Sequence, residues 1–171
     1  MERVVILGCS GSGKSTLARR LGEMTGLPVV HLDALFWEPG WKESDPAIFR
    51  QRVVQALVGR SWITDGIYSS KTFDLRLPEA DLILWIDQPR ALRLWRVTWR
   101  ALRQWGKTRP DLAPGCPERV DLELLKYIWN FDRKNRPRLD AAIAKLAPTT
   151  PLVRLRGDRE IAQFLDGVRQ A

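Results

Sequence analysis

The sequence predicts an α/β protein, with a five-stranded parallel sheet, helices on both faces in three layers, and a helical insertion late in the chain. Three observations predict it. Short β-branched apolar runs alternate with stretches of helical periodicity. A glycine-rich turn joins the first such run to the first such helix. About 60 residues of mostly helical pattern then separate the fourth run from the fifth. The 171 residues fit one domain, 1–171, at a length where roughly 70 % of the unfolded surface becomes buried.

Taken in order, Val4 to Leu7 reads as a strand buried on both faces, ending at Gly8. Helical spacing runs from Lys14 to about Glu23, with Leu17, Ala18 and Leu21 on the core side and Gly22 and Gly26 near its end. Pro28 to Leu32 reads as the second strand. Asp45 is placed to cap a helix from Pro46 to Val58 that buries Ile48, Phe49, Val53, Ala56 and Leu57. Ser61–Thr64, Leu82–Ile86 and Leu152–Leu155 read as the remaining strands, and alternation with helices implies right-handed parallel crossovers. Within the insertion, Thr108 to Pro117 carries three prolines and a glycine, the composition of a functional or mobile loop. Pro137 divides the next helical stretch into Asp121–Lys134 and Leu139–Leu146. A last amphipathic helix carries Ile161, Phe164, Leu165 and Val168.

Charge is unevenly placed. The net charge is +8, yet residues 1–89 hold 10 Lys/Arg against 11 Asp/Glu, whereas residues 90–140 hold 13 against 6. Such a concentrated positive field fits phosphates, on a small nucleotide or along a nucleic acid. No apolar run approaches the ~18 residues that cross a bilayer, so no membrane partner is expected. Met1 leads directly into Val4–Leu7, and Cys9 and Cys116 have neither metal-ligand nor redox spacing, from which a cytoplasmic protein is expected. A single histidine, His31, argues against a histidine-built metal site. No feature fixes the oligomeric state.

The chemistry sits in Gly8-Cys9-Ser10-Gly11-Ser12-Gly13-Lys14-Ser15, which has the glycine, lysine and hydroxyl spacing of a phosphate-binding loop. A strand enters it and a helix leaves it, so loop N–H groups and the helix N-terminus converge on one anion. Gly8, Ser10, Gly11, Ser12, Gly13, Lys14, Ser15 and Thr16 are therefore the candidate ATP-binding residues, with Lys14 reaching the outer phosphates and Ser15 placed for Mg2+. Asp33, Asp65 and Asp87 each follow a strand, at the sheet edge where α/β proteins bind ligands. Asp65, in Trp62-Ile63-Thr64-Asp65-Gly66, is the candidate magnesium acid, Asp33 the orienter or base for an attacking oxygen, and Asp87 a helix cap or a third site acid.

Arg93, Arg96, Arg100 and Arg103 recur at intervals of 3, 4 and 3, one stripe on the helix after the fourth strand. Leu92, Trp95, Trp99 and Leu102 form the adjacent stripe, expected to pack that helix. Arg96 and Arg100 are the candidate phosphate contacts; a basic surface face is the alternative.

These residues resemble the adenylate-kinase-like P-loop kinases, and over nearly the whole chain the sequence looks most like proteins described as DNA topology modulation proteins. The closer likeness rests on Gly8 to Ser15, His31-Leu32-Asp33, Trp37 to Trp41, Asp65 to Ser70, Asp74 to Leu77, Arg109-Pro110-Asp111 and Gly115 to Arg119. The resemblance implies a P-loop NTPase three-layer sandwich, an acceptor region at about 34–60 and a lid at about 96–138 closing over ATP. Asp87, Arg96 and Arg100 keep the family's spacing between a strand-end acid and lid arginines, and Arg133, Arg136 and Arg138 look similar to its second arginine group. Ile67-Tyr68-Ser69 stands where adenylate kinases carry Phe-Pro-Arg, so the acceptor need not be AMP. Trp37 and Trp41 could stack on a base, close a small pocket or simply pack.

The expected function is thus ATP- and magnesium-dependent phosphoryl transfer to a small acceptor, such as a nucleotide or nucleoside. The alternative is an ATP-dependent nucleic-acid-binding regulator using the basic segment.

Overall fold

The computed structural model describes residues 1–170. Its elements run β1 (Arg3–Gly8), α1 (Lys14–Thr25), β2 (Val29–His31), α2 (Leu32–Phe36), β3 (Trp37–Glu38), β4 (Lys42–Glu43), α3 (Pro46–Ala56) and β5 (Trp62–Asp65). There follow α4 (Ser69–Arg76), β6 (Leu82–Ile86), α5 (Arg90–Arg103), α6 (Leu122–Lys134), α7 (Arg136–Leu146), β7 (Leu152–Leu155) and α8 (Asp158–Gln170). The main sheet has the order β2-β5-β1-β6-β7 with every pairing parallel.

Side-chain alternation along β1 builds the two cores. Val4 and Ile6 face α1 and α8, joining Leu17, Leu21 and Leu165. Val5 and Leu7 face the opposite layer, joining Phe73, Val97, Ile128, Phe131, Leu139 and Ile143 of α4, α5, α6 and α7. Because β1 is buried on both sides it reads as a continuous apolar run. A third cluster, Leu32, Phe36, Phe49 and Val53, seats α2 and α3 beside the edge strand β2.

The strands and long helices fall where the sequence puts them, with local corrections. Leu32 opens α2 instead of ending β2, and in α3 Ile48 is exposed while Phe49 and Val53 are buried. Asp45 caps α3 by accepting from the Ala47 and Ile48 amides. Helix α4 and the β3–β4 hairpin carry no apolar periodicity long enough to announce them. Asp87 does not cap α5; its carboxylate grips Arg136 of α7, with Nη1 donating to Oδ2 at 2.9 Å.

The largest correction concerns α5. The inward face is Arg93, Val97 and Ala101, whereas Trp95, Trp99 and Leu102, expected to pack the helix, are exposed. Arg93 tolerates burial because its guanidinium pairs with Asp132 of α6 and lies over the Phe131 ring. Trp95 and Trp99 shelter each other, their rings nearly parallel with centroids 6.2 Å apart. No helix among the described residues is long and apolar enough to cross a membrane.

Candidate nucleotide and acceptor site

At the carboxyl edge of the sheet lies a cavity of about 590 Å³, within the range of roughly 300–1,000 Å³ usual for small-molecule sites. Residues Ser10 to Thr16 form its floor; Arg96, Arg100, Arg109 and Asp111 cover it; and His31 and Asp33 close one side. Gly8 lies beneath the loop, where a Cβ would come 2.7 Å from the Ile86 carbonyl oxygen.

The loop is shaped by its neighbours as much as by its own sequence. Gly11 has φ +78, and a Cβ there would stand 2.5 Å from the Arg93 carbonyl oxygen, so only glycine lets α5 pack this close. The Ser12 amide donates to the Cys9 carbonyl at 3.1 Å, closing the turn, and the Lys14 ammonium donates to the same carbonyl at 3.2 Å. Burial raises the Cys9 thiol pKa against the lowering influence of Arg93 and Lys14. Lys14 and Ser15 open α1, whose first amides and positive dipole end face the cavity. This cradle fits a polyphosphate. The Ser15 hydroxyl is an oxygen donor of the kind magnesium takes, and no group of three or more His, Cys, Asp or Glu among the described residues forms a metal cage of its own.

Above the loop, Arg96 and Arg100 turn toward it. Arg96 Nη1 lies 4.0 Å from where a Cβ on Gly13 would be, and its Nη2 donates to Asp158 Oδ2 at 2.6 Å. Arg100 Nε lies 3.1 Å from the buried Glu118, whose carboxylate also pairs with Arg109. Burial lowers the Arg100 pKa, nearby Arg109 adds to the fall, and Glu118 opposes it. The outward face of α5 presents tryptophans, so these two arginines do not form a row open to a nucleic-acid backbone. Arg136, from the expected second arginine group, is spent on Asp87, and Arg133 and Arg138 are exposed.

Between α5 and α6, residues 104–121 contain no helix and cross the mouth of the cavity. Arg109 Nη1 donates to Asp111 at 2.6 Å, and Asp111 lines the cavity with Ser15. Burial raises the Asp111 pKa, but Arg109 and the Ser15 hydroxyl outweigh it and leave the carboxyl below its ordinary value. Farther along, the loop docks on the β3–β4 hairpin. The Gly40 amide donates to the Gly115 carbonyl at 2.8 Å, and Trp41 Nε1 donates to the Pro117 carbonyl at 2.8 Å. Trp37 and Trp41 meet edge to face at 5.4 Å and cover Leu112, Ala113 and Cys116, so they pack the loop.

The three strand-end acids separate. The Tyr68 hydroxyl donates to Asp33 Oδ1 at 2.6 Å, and Tyr68 adopts φ +41, a backbone state uncommon for a bulky residue. Its ring is held by Phe36 and Phe49 at 4.7 and 5.0 Å. Burial, then the Asp33 charge, push the Tyr68 pKa up, so this hydroxyl stays protonated. The sheet register sets His31 opposite Asp65, and His31 Nδ1 lies 2.6 Å from Asp65 Oδ1. That bond raises the His31 pKa against the opposing effect of burial. Asp65 is 4 % exposed and does not line the cavity, whereas Ser15 and His31 do. Behind it, fully buried Arg76 holds the turn by donating to the Gly66 and Ile67 carbonyls at 3.3 and 2.7 Å.

His31, Tyr68, Asp111 and Glu118 carry no role in the sequence reading, and Arg109 figures there only in the basic segment of the nucleic-acid alternative. Their signal was their place in the blocks that carry the family resemblance, His31-Leu32-Asp33, Asp65 to Ser70, Arg109-Pro110-Asp111 and Gly115 to Arg119.

No protein-family model and no curated protein sequence matches the chain. Among solved structures, a gluconokinase from Sinorhizobium meliloti is similar at a TM-score of 0.56 and 17 % identity, covering 99 % of this chain and 90 % of its own. An unliganded sugar kinase from Janibacter sp. is similar at a TM-score of 0.50 and 17 % identity, covering 99 % and 91 %. At these identities the likeness is one of fold: the chain has the P-loop kinase fold. Nothing in these matches supports the DNA topology modulation part of the resemblance.

Proposed function

We propose that the protein transfers the γ-phosphoryl group of ATP, with Mg2+, to a hydroxyl of a small acceptor. The observation that carries this reading is that Ser10–Thr16, Arg96, Arg100 and Asp33 line one cavity. In that arrangement the loop amides and Lys14 hold the phosphates, and Arg96 and Arg100 lie where charge spreads over the transferring group. Asp33 accepts the proton of the acceptor hydroxyl as its oxygen bonds to the γ-phosphorus and the bond to the β-bridging oxygen breaks. Tyr68, donating to Oδ1, fixes the carboxylate and leaves Oδ2 to face the acceptor.

Bound magnesium would supply charge screening between the phosphates. Ser15 is retained as a residue that would hold it. Asp65, engaged by His31, is assigned to fixing the His31 ring at the cavity wall. Because the similar structures are a sugar kinase and a gluconokinase, polyhydroxylated acceptors come first, and nucleotides and nucleosides second.

A screen of ADP release over sugars, sugar acids, nucleosides and nucleotides, with acceptor-free hydrolysis subtracted, tests the proposal. Acceptor-dependent, magnesium-dependent ADP release is expected. ATP binding without any acceptor-stimulated release across the panel would count against it.

A further inference from the structure

Leu32 stands between His31 and Asp33 at the junction of β2 and α2, and it is wholly buried in the third apolar cluster. With Leu32 turned inward, the side chains on either side of it line the cavity. The junction is closely fitted. Gly66 has φ +124, and a Cβ there would stand 3.0 Å from Leu32 Cβ, while Arg76 holds the Gly66 and Ile67 carbonyls from behind. His31 and Asp33 are therefore presented by a fixed segment.

The His31 ring is aimed as well as placed. Parallel pairing sets it beside Asp65, whose carboxylate takes Nδ1 at 2.6 Å. An ionised carboxylate only accepts, so Nδ1 carries a proton. Asp65 does not line the cavity and His31 does, so the bonded edge of the ring points away from the cavity and the rest of the ring lies at its wall. Nε2 has no hydrogen-bond partner among the described residues, and it is not one of the polar atoms sealed from solvent without a partner. It is thus accessible, and the space beside it is the cavity.

Neutral imidazole accepts at Nε2 and imidazolium donates there, and a hydroxyl, which does both, pairs with either state. A carboxylate or phosphate group at the same place meets the Asp33 charge, and Arg109 of the covering loop is already engaged by Asp111 and Glu118. We propose that His31 is a specificity-determining residue for the acceptor: as Asp33 takes the reacting hydroxyl, a second hydroxyl of the same molecule bonds to His31 Nε2. Asp65 is then the positioning residue, and the acceptor carries at least two hydroxyls. The inference rests on the reading of the cavity as a phosphoryl-transfer site with Asp33 toward the acceptor.

The test is steady-state ADP release with the polyhydroxylated acceptor that best stimulates it, and with analogues lacking each remaining hydroxyl in turn. In wild type one deoxy analogue should lose about tenfold in kcat/KM, the scale of one hydrogen bond, with the change mostly in KM. His31→Asn keeps a donor for Asp65 and lacks a group at the Nε2 position. It should lower kcat/KM about tenfold for the parent acceptor and scarcely at all for that analogue. His31→Gln, whose amide reaches farther, should recover part of the loss. Equal losses on the parent and every analogue would make His31 a partner for Asp65 and nothing more. That result, an unchanged kcat/KM for the parent, or coupling to a carboxylate or phosphate of the acceptor instead of a hydroxyl, overturns the proposal. If the variants do not fold, wild type decides, because its only histidine is read alone by 15N NMR. Saturation with the parent acceptor should shift Nε2 more than Nδ1, and the deoxy analogue should not; absence of any acceptor-dependent shift would equally overturn the proposal. Wild type that releases ADP with no polyhydroxylated acceptor would defeat the phosphoryl-transfer reading itself, and the inference with it.

Discussion

The Tyr68 hydroxyl sits 2.6 Å from Asp33 Oδ1 and can only donate to it, because burial and the carboxylate charge keep the phenol protonated. Tyr68 in turn holds an uncommon left-handed backbone state within the Phe36–Phe49 cluster. This fixes one oxygen of the acid assigned to the acceptor. Tyr68→Phe should lower kcat by about tenfold, in the range of a lost hydrogen bond to a charged group, with ATP affinity retained. Asp33→Asn should remove nearly all turnover and leave ATP affinity in place. Equal loss of ATP binding in either variant would relocate Asp33 to the nucleotide subsite.

Lys14 opens α1 and reaches back to the Cys9 carbonyl, so its side chain crosses the loop and supports no core packing. Lys14→Ala should unfold at nearly the wild-type temperature yet lose Mg-ATP binding or turnover. Calorimetry and thermal melting read the two separately; unchanged ATP affinity and turnover in the folded variant would remove the phosphate-loop assignment.

Arg96 and Arg100 face the loop from α5, each tethered to a carboxylate, Asp158 and Glu118. Groups aimed at charge that appears only during transfer lower turnover more than ground-state binding when removed. Arg96→Ala with Arg100→Ala should therefore reduce kcat by about 10³-fold or more while ATP affinity changes far less. Comparable losses in both would make them ground-state phosphate contacts.

His31 is the only histidine in the chain, so its titration is read without ambiguity by NMR. The bond His31 donates to Asp65 raises its pKa, and the stability this pair contributes is fully present below the unfolded value of about 6.5. It is lost as pH rises through the higher folded value. Asp65→Asn should bring the titration down and flatten the dependence of melting temperature on pH across that window. An unshifted titration in the variant would separate the two residues. Asp87→Asn, by contrast, leaves Arg136 short of its main partner and should cost about 1–3 kcal/mol of stability, with no effect on the His31 titration.

What was legible in the sequence is what local signals control. The apolar runs of β1, β5 and β6, the caps and breaks at Asp45, Gly26 and Pro137, and the Gly8–Ser15 loop each follow from a few adjacent residues. The cross-chain relationships were not legible. His31 meets Asp65 because of strand register, and Asp111 lines the cavity with Ser15 because a distant hairpin and Glu118 hold the loop in place. The α5 stripe inverted for the same reason: Asp132, on a neighbouring helix, makes a buried arginine at 93 less costly than periodicity alone suggests.

The most direct measurement follows the γ-phosphorus of ATP by 31P NMR in the presence of Mg2+, the protein and the acceptor that best stimulates ADP release. The account predicts that this signal is replaced by an acceptor phosphate ester in step with ADP, and that neither appears with Lys14→Ala or Asp33→Asn. Conversion to inorganic phosphate alone, at a rate the acceptor does not change, would contradict it.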